Sequence, residues 1–258
     1  MFTKIILNMT TCRTQGHPLI SSFKRVSALL PTACIVCGRI VSTTFLICGP
    51  CSKELPWIRN ACVRCGESTY HTPLCQELCN KCQLPPPGFQ FCKGLFLYLT
   101  PVDTLLSGFK FHARFDAGFA LAAHLAERMY EYYALNNPPD LLLPVPLHDN
   151  RLRARGYNQA AEIAKTISAR CGIPISTNLV KKRKDTIPQT EIGDATARLK
   201  NLRNAFYVPN VTALRNVKRI AIIDDVVTTM ATVMALTDTL RLAGIDTIEV
   251  WCIARASR

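Results

Sequence analysis

Eight cysteines in four CxxC pairs constrain this chain more than any other feature. Cys34-x-x-Cys37 and, ten residues on, Cys48-x-x-Cys51 make one set; Cys62-x-x-Cys65 and, thirteen residues on, Cys79-x-x-Cys82 make a second. A two-residue gap lets both sulfurs of a knuckle reach one tetrahedral ion at about 2.3 Å. Gly38 and Gly66 follow the first knuckle of each set, where a tight turn favours glycine. The doubled pattern reads as two structural Zn²⁺ sites. Buried free thiols would not explain the spacing, and an iron–sulfur cluster is the minor alternative. Spacing alone leaves crossed ligation between the sets open. A closed four-thiolate site has no vacant position for a substrate, so these metals hold structure. Ten of the 13 cysteines fall between Cys34 and Cys92. Cys75 is read as a non-ligand, and Cys92, Cys171 and Cys252 as core residues.

The cysteines divide the chain. Residues 1–31 show no period and read as an N-terminal extension. Residues 32–84 form the double zinc-ribbon module, 85–90 a proline-rich linker, and 91–258 the main domain. In the main domain the pattern alternates. Strands are expected at Phe91–Leu99, Leu141–Pro146, Arg219–Ile223 and Thr247–Ile253, and helices at Asp116–Tyr133, Asn158–Arg170 and Thr229–Ala243. Leu105 to Phe109 reads as a short apolar patch. Strand–helix–strand alternation implies an α/β fold around a parallel sheet.

Lys and Arg number 31 against 18 Asp and Glu, a formal charge of +13. Two zinc ions on eight thiolates lower this to about +9, still basic, which points to anionic partners. Arg151 to Arg203 carries twelve basic and four acidic residues. Arg151, Arg153, Arg155, Lys181, Lys182, Arg183 and Lys184 are its candidate nucleic-acid contacts, tracking a single-strand backbone. A solvated surface loop is the plainer reading of Lys181–Lys184. No apolar run approaches the roughly 20 residues a spanning helix needs, and the first residues lack a secretory apolar region. The chain is therefore expected in the cytoplasm without membrane insertion, where paired cysteines favour metal over disulfides.

The chemical centre is Ile220 to Thr232. A buried strand leads into Asp224-Asp225, then Val226-Val227, the turn Thr228-Thr229-Met230-Ala231-Thr232, and a helix. Ligands of open α/β sheets sit at this edge. Backbone N–H groups at the helix start and three threonine hydroxyls can cradle a phosphate, while two carboxylates can accept hydrogen bonds from ribose hydroxyls. The plainer alternative is that Asp225 and Thr228 cap the helix, but a cap needs one such residue and five polar ones cluster here.

This segment resembles the phosphoribosyl-pyrophosphate (PRPP) signature of type I phosphoribosyltransferases: four apolar residues, two acidic, two variable, then T-T-G-[AG]-T. Met230 stands where that pattern has a glycine, and its Cβ is expected to crowd the phosphate. Further residues narrow the resemblance to the ComF family: Leu143-Pro144-Val145-Pro146-Leu147-His148, Arg151, Arg155-Gly156-Tyr157-Asn158-Gln159, Phe109-Lys110-Phe111, Thr186-Ile187-Pro188-Gln189-Thr190, Arg198, Asn201 and Ala205-Phe206, in that family's order after the zinc module. The resemblance runs from about Leu29 to Arg255.

It implies a type I phosphoribosyltransferase-like, Rossmann-like sheet with an N-terminal zinc ribbon, and a role in natural competence. It also implies PRPP binding by Asp224 to Thr232 with Pro146 and Leu147 on the pyrophosphate side, Mg²⁺ accompanying PRPP, and a loop near Lys181–Gln189 over the site. Partners are then PRPP, single-stranded DNA, and other competence or helicase proteins. Three functions fit. The first is a cytoplasmic competence protein that binds PRPP and handles incoming single-stranded DNA. The second is an active phosphoribosyltransferase in which Asp224 and Asp225 are catalytic. The third is a nucleic-acid-binding scaffold with a decayed PRPP site.

Overall fold

The computed structural model describes residues 32–41, 45–69, 78–83, 87–183 and 205–256. In the cysteine module, β1 (Thr32–Ala33) pairs antiparallel with β2 (Ile40–Val41), and the short helices α1 (Gly49–Glu54) and α2 (Asn80–Gln83) carry Cys51 and Cys82. The main domain runs β3 (Phe91–Leu97), α3 (Val102–Phe111), α4 (Phe115–Tyr133), β4 (Leu141–Pro144), α5 (Asp149–Arg155), α6 (Gln159–Cys171), β5 (Lys181–Lys182), β6 (Phe206–Tyr207), β7 (Arg219–Val227), α7 (Ala231–Leu242) and β8 (Thr247–Arg255).

Four strands form a parallel sheet in the order β3-β8-β7-β4. The apolar runs of β4, β7 and β8 are buried on both faces, as is usual for parallel strands. Alternation along β7 divides the core. Ala221 and Ile223 join a cluster with Leu121, Leu125 and Met129 of α4 and Ile163 and Ile167 of α6. Ile220 and Ile222 join the opposite cluster with Val233, Leu236 and Leu240 of α7. The expected α/β architecture is thus present, with the cysteine module beside it. No helix among the described residues is long and apolar enough to cross a membrane.

Three local expectations are revised. β7 does not stop at Ile223 but runs through the acidic pair to Val227, because β8 continues beside it with Asp224 opposite Cys252 and Val227 opposite Arg255. α7 begins at Ala231 rather than Thr229, leaving Thr228 and Thr229 in the turn and Thr232 in the first turn of the helix. The apolar patch Leu105–Phe109 belongs to α3, whose buried residues Val102, Leu105, Leu106 and Phe109 form one helical stripe.

The cysteine module lies along β3, the edge strand. Ile58 N–H donates to Leu95 O (3.1 Å), Leu97 N–H to Pro56 O (2.8 Å), and Cys92 N–H to Arg64 O (2.7 Å). The Trp57 ring sits 4.6 Å from Phe96. These bonds cover an edge that would otherwise expose unpaired backbone groups. The module straddles the sheet: Cys34 and Cys48 belong to the α4–α6 cluster, and Cys62, Cys65 and Cys82 to the α7 cluster. Phe89, in the stretch read as a linker, is buried in that second cluster.

Candidate functional site

The metal centres follow directly from local geometry. The Sγ atoms of Cys34, Cys37, Cys48 and Cys51 all lie within 4.8 Å of one another, as do those of Cys62, Cys65, Cys79 and Cys82. Ligation is therefore within each set, not crossed. Backbone N–H groups point at sulfur: Cys48 N–H at Cys34 Sγ and Cys79 N–H at Cys62 Sγ, each 3.3 Å. Burial pushes these two thiols up, but the backbone donors outweigh it and bring Cys34 down to about 6 and Cys62 to about 7. Burial holds Cys65 up at about 11. Thiolates rather than thiols bind metal, so an ion entering either set displaces thiol protons. Four clustered sulfurs with aimed amides fit Zn²⁺.

The second site stands at the C-terminal edge of the sheet. β7 delivers Asp224, half-buried, and Asp225, 7% exposed. Each carboxylate accepts from the next backbone amide, Asp225 N–H to Asp224 Oδ1 (2.9 Å) and Val226 N–H to Asp225 Oδ1 (2.8 Å). Lys110 Nζ, from the last turn of α3, lies 2.8 Å from Asp225 Oδ2. Burial, with the Asp225 charge beside it, raises Asp224 to about 8, although Lys110 pulls the other way. A half-buried acid titrating near neutrality marks a functional-site candidate.

The turn follows at once. Val227 and Ala231 are buried, and Val226, Thr228, Thr229 and Thr232 half-buried. The Thr229 Oγ1 is buried with no hydrogen-bond partner among the described residues. Met230 sits at φ +67°, the left-handed conformation that the family's glycine adopts freely. Its side chain, 9% exposed, packs into the α7 cluster.

The loop after β4 borders the same edge. Val145 N–H donates to Ile223 O (2.9 Å), which brings buried Pro146 and half-buried Leu147 beside the acidic pair. His148 Nδ1 caps α5 by accepting from Asn150 N–H. Arg155, at the end of α5, feels the Asp225 charge, bonds Gln159 Oε1 (2.8 Å) and lies 5.4 Å over the Phe111 ring, which is 66% exposed. Tyr157 packs between Phe109 and Phe115 and donates to Phe109 O, so it is a core residue.

The described candidates of the basic stretch lie on two elements. Arg151 is half-buried on α5, and Arg153 is exposed with Nη2 on Asn150 Oδ1 (2.7 Å). Lys181, Lys182 and Arg183 belong to the separate β5–β6 ribbon, where Lys182 and Arg183 lie over Phe206 and Tyr207. Lys184, Cys75, the segment Thr186–Thr190, Arg198, Asn201 and the N-terminal extension lie outside the described residues. Sequence reasoning gave Lys110 no role, although it sits in a motif of the family resemblance. It also missed Arg255, for which a lone arginine ending an apolar strand is no signal.

Residues 25–83 match the model of the double zinc ribbon domain. Competence protein F of Haemophilus influenzae is 32% identical over 227 residues, covering 86% of this chain and 96% of its own. The DNA utilization protein YhgH of Salmonella typhimurium is 29% identical, covering 88% and 98%. Among solved structures, the purine phosphoribosyltransferase from Pyrococcus horikoshii Ot3 aligns with a TM-score of 0.31 at 18% identity, over 54% of this chain and 73% of that one.

Proposed function

Because this chain belongs to the competence protein F family, with its double zinc ribbon, we propose that it binds PRPP at the C-terminal edge of its sheet and takes part in the cytoplasmic handling of single-stranded DNA. One observation carries the reading. β7 sets two carboxylates immediately before a threonine turn and a helix N-terminus, with the Pro146–Leu147 loop alongside.

On this reading Asp224 and Asp225 accept hydrogen bonds from the ribose hydroxyls. The N–H groups opening α7 and the hydroxyls of Thr228, Thr229 and Thr232 hold the 5′-phosphate, favoured by the helix dipole. The buried, unpartnered Thr229 Oγ1 supplies a donor for that anion. Lys110 balances the charge on Asp225, and the raised Asp224 holds its proton near neutrality, so the adjacent acids stand together without like-charge repulsion before ligand arrives. Mg²⁺, a hard cation that favours oxygen ligands, would be held by PRPP itself and would supply neutralisation of its phosphate charge. With Lys110 already on Asp225 Oδ2, the aspartates fit the hydroxyls rather than the ion. The names of the relatives, competence protein F and DNA utilization protein, support the DNA role for this chain's basic residues.

A second reading is an active phosphoribosyltransferase, favoured by the acidic pair standing together at the C-terminal end of β7. In their ionised forms Asp224 and Asp225 would then steady the positive charge that develops on the ribose as pyrophosphate leaves. The first test is calorimetry with PRPP and Mg²⁺ on wild type and on Asp224→Asn/Asp225→Asn. Charge-assisted hydrogen bonds are worth about 1.5–3 kcal/mol each, so affinity should fall at least about tenfold with the fold intact. No binding by wild type would sink the PRPP reading and leave the scaffold. Pyrophosphate release in a screen of bases and amines would establish the transferase.

A further inference from the structure

Arg255, the last residue of β8, is 3% exposed and its guanidinium is surrounded by carbonyls. Nε donates to Cys65 O (3.2 Å), in the first knuckle of the second cysteine set. Nη1 donates to Val227 O (2.9 Å), to Thr228 O, and to Ala256 O (2.8 Å). Nη2 lies 3.9 Å from Glu67, whose other partner is Lys81 on α2. One buried cation therefore ties the metal knuckle to the two residues that lead into the threonine turn. Carbonyl acceptors on Nε and Nη1, with the Glu67 carboxylate near Nη2, offset the cost of burying the charge.

The knuckle is also pressed against the sheet. Gly66 has φ +66°, and a Cβ there would meet Cys92 O at 2.5 Å. The position of Cys65 O is thus set by the metal on one side and β3 on the other. Among the described residues, no bond joins Arg255 to the first cysteine set.

We propose that Arg255 is a positioning residue that makes the shape of the Thr228–Thr232 turn depend on metal occupancy of the Cys62–Cys65–Cys79–Cys82 set. With metal bound, the knuckle holds Cys65 O, Cys65 O orients the guanidinium, and the guanidinium holds the carbonyls of Val227 and Thr228. The amides and hydroxyls of the turn then face the phosphate position. Without metal the knuckle relaxes, the fork loses one end, and the turn loosens. The affinity consequence rests on the PRPP reading; the structural one does not.

Amide hydrogen exchange and PRPP calorimetry on the full chain test this, with zinc content measured for each protein. The variants are Cys79→Ser in the second set, Cys37→Ser in the first, and Arg255→Lys, which keeps the charge but not the fork. Cys79→Ser and Arg255→Lys should each speed exchange at Val227–Thr232 and weaken PRPP by about tenfold, the worth of one hydrogen bond to a charged group. Cys37→Ser should speed exchange in the turn less than Cys79→Ser does. β4, on the edge of the sheet away from β3, is the reference. Equal acceleration there, equal acceleration by the two cysteine variants, or wild-type exchange in the turn of Cys79→Ser would overturn the proposal. If Arg255→Lys does not fold, the two cysteine variants decide. Wild type that shows this exchange pattern yet binds no PRPP would refute the ligand reading and leave the coupling standing.

Discussion

Met230 and Asp224 show how the site sets competing terms against each other in single residues. Left-handed backbone at Met230 costs roughly 1–2 kcal/mol, which glycine would relieve. Yet its side chain is buried, and truncating a buried methionine costs about 2–5 kcal/mol. The packing term is larger, so Met230→Gly should lower unfolding stability by about 1–3 kcal/mol; a higher melting temperature would refute this. Calorimetry on the same variant reads phosphate crowding separately, as tighter PRPP binding. Asp224 makes a pH prediction. Its ordinary value is 3.8, and the folded chain raises it to about 8. Between those values the folded state keeps a proton that the unfolded state has lost. Stability must therefore fall as pH rises through that window, by at most about 1.4 kcal/mol per unit, and level off above it. Asn cannot ionise, so Asp224→Asn should gain on wild type toward pH 8 in urea unfolding. A gap that does not widen with pH would count against a raised Asp224.

At the scale of elements, the two knuckles differ in what lies beyond them. Gly38 and Gly66 share left-handed φ values, +74° and +66°. A Cβ at Gly38 meets nothing within 4 Å, whereas at Gly66 it meets the Cys92 carbonyl. Gly38→Ala should cost only the backbone strain, about 1–2 kcal/mol. Gly66→Ala adds a clash with a strand of the main sheet and should cost clearly more. Equal losses in chemical denaturation would show that the second knuckle is not docked on β3. α3 illustrates what its own sequence already carried. Val102, Leu105, Leu106 and Phe109 are spaced as one helical face, but the proline before them and the short apolar run masked it. That helix matters because its last turn brings Lys110 to Asp225.

For the whole molecule, the module and the sheet share their cores, so the cysteine sets, the edge strand and the candidate site belong to one packed body. The basic residues are spread over α5 and the β5–β6 ribbon. If the ribbon and the residue after it track a single strand, changing Lys181, Lys182, Arg183 and Lys184 to Ala should flatten the salt dependence of single-stranded DNA binding. Every phosphate that the variant no longer neutralises takes about 0.7 off the slope of log K against log salt. An unchanged slope would place the strand elsewhere, with Arg151, Arg153 and Arg155 the next to test.

The sequence by itself determined what depends on local spacing. The CxxC gaps set the two metal centres, and apolar runs separated by amphipathic stretches set a parallel α/β sheet. An acidic pair before a threonine turn marked the candidate site at the end of β7. Tertiary structure alone decided which cysteines share an ion, that the module covers β3, and that β7 carries the acids inside the strand. It also decided the partners of the site, Lys110 from 115 positions upstream of Asp225 and Arg255 from the end of β8. The physical reason is range. Periodicity and knuckle geometry are fixed within a few residues of chain, whereas a buried charge finds its partner only when distant elements pack and exclude water.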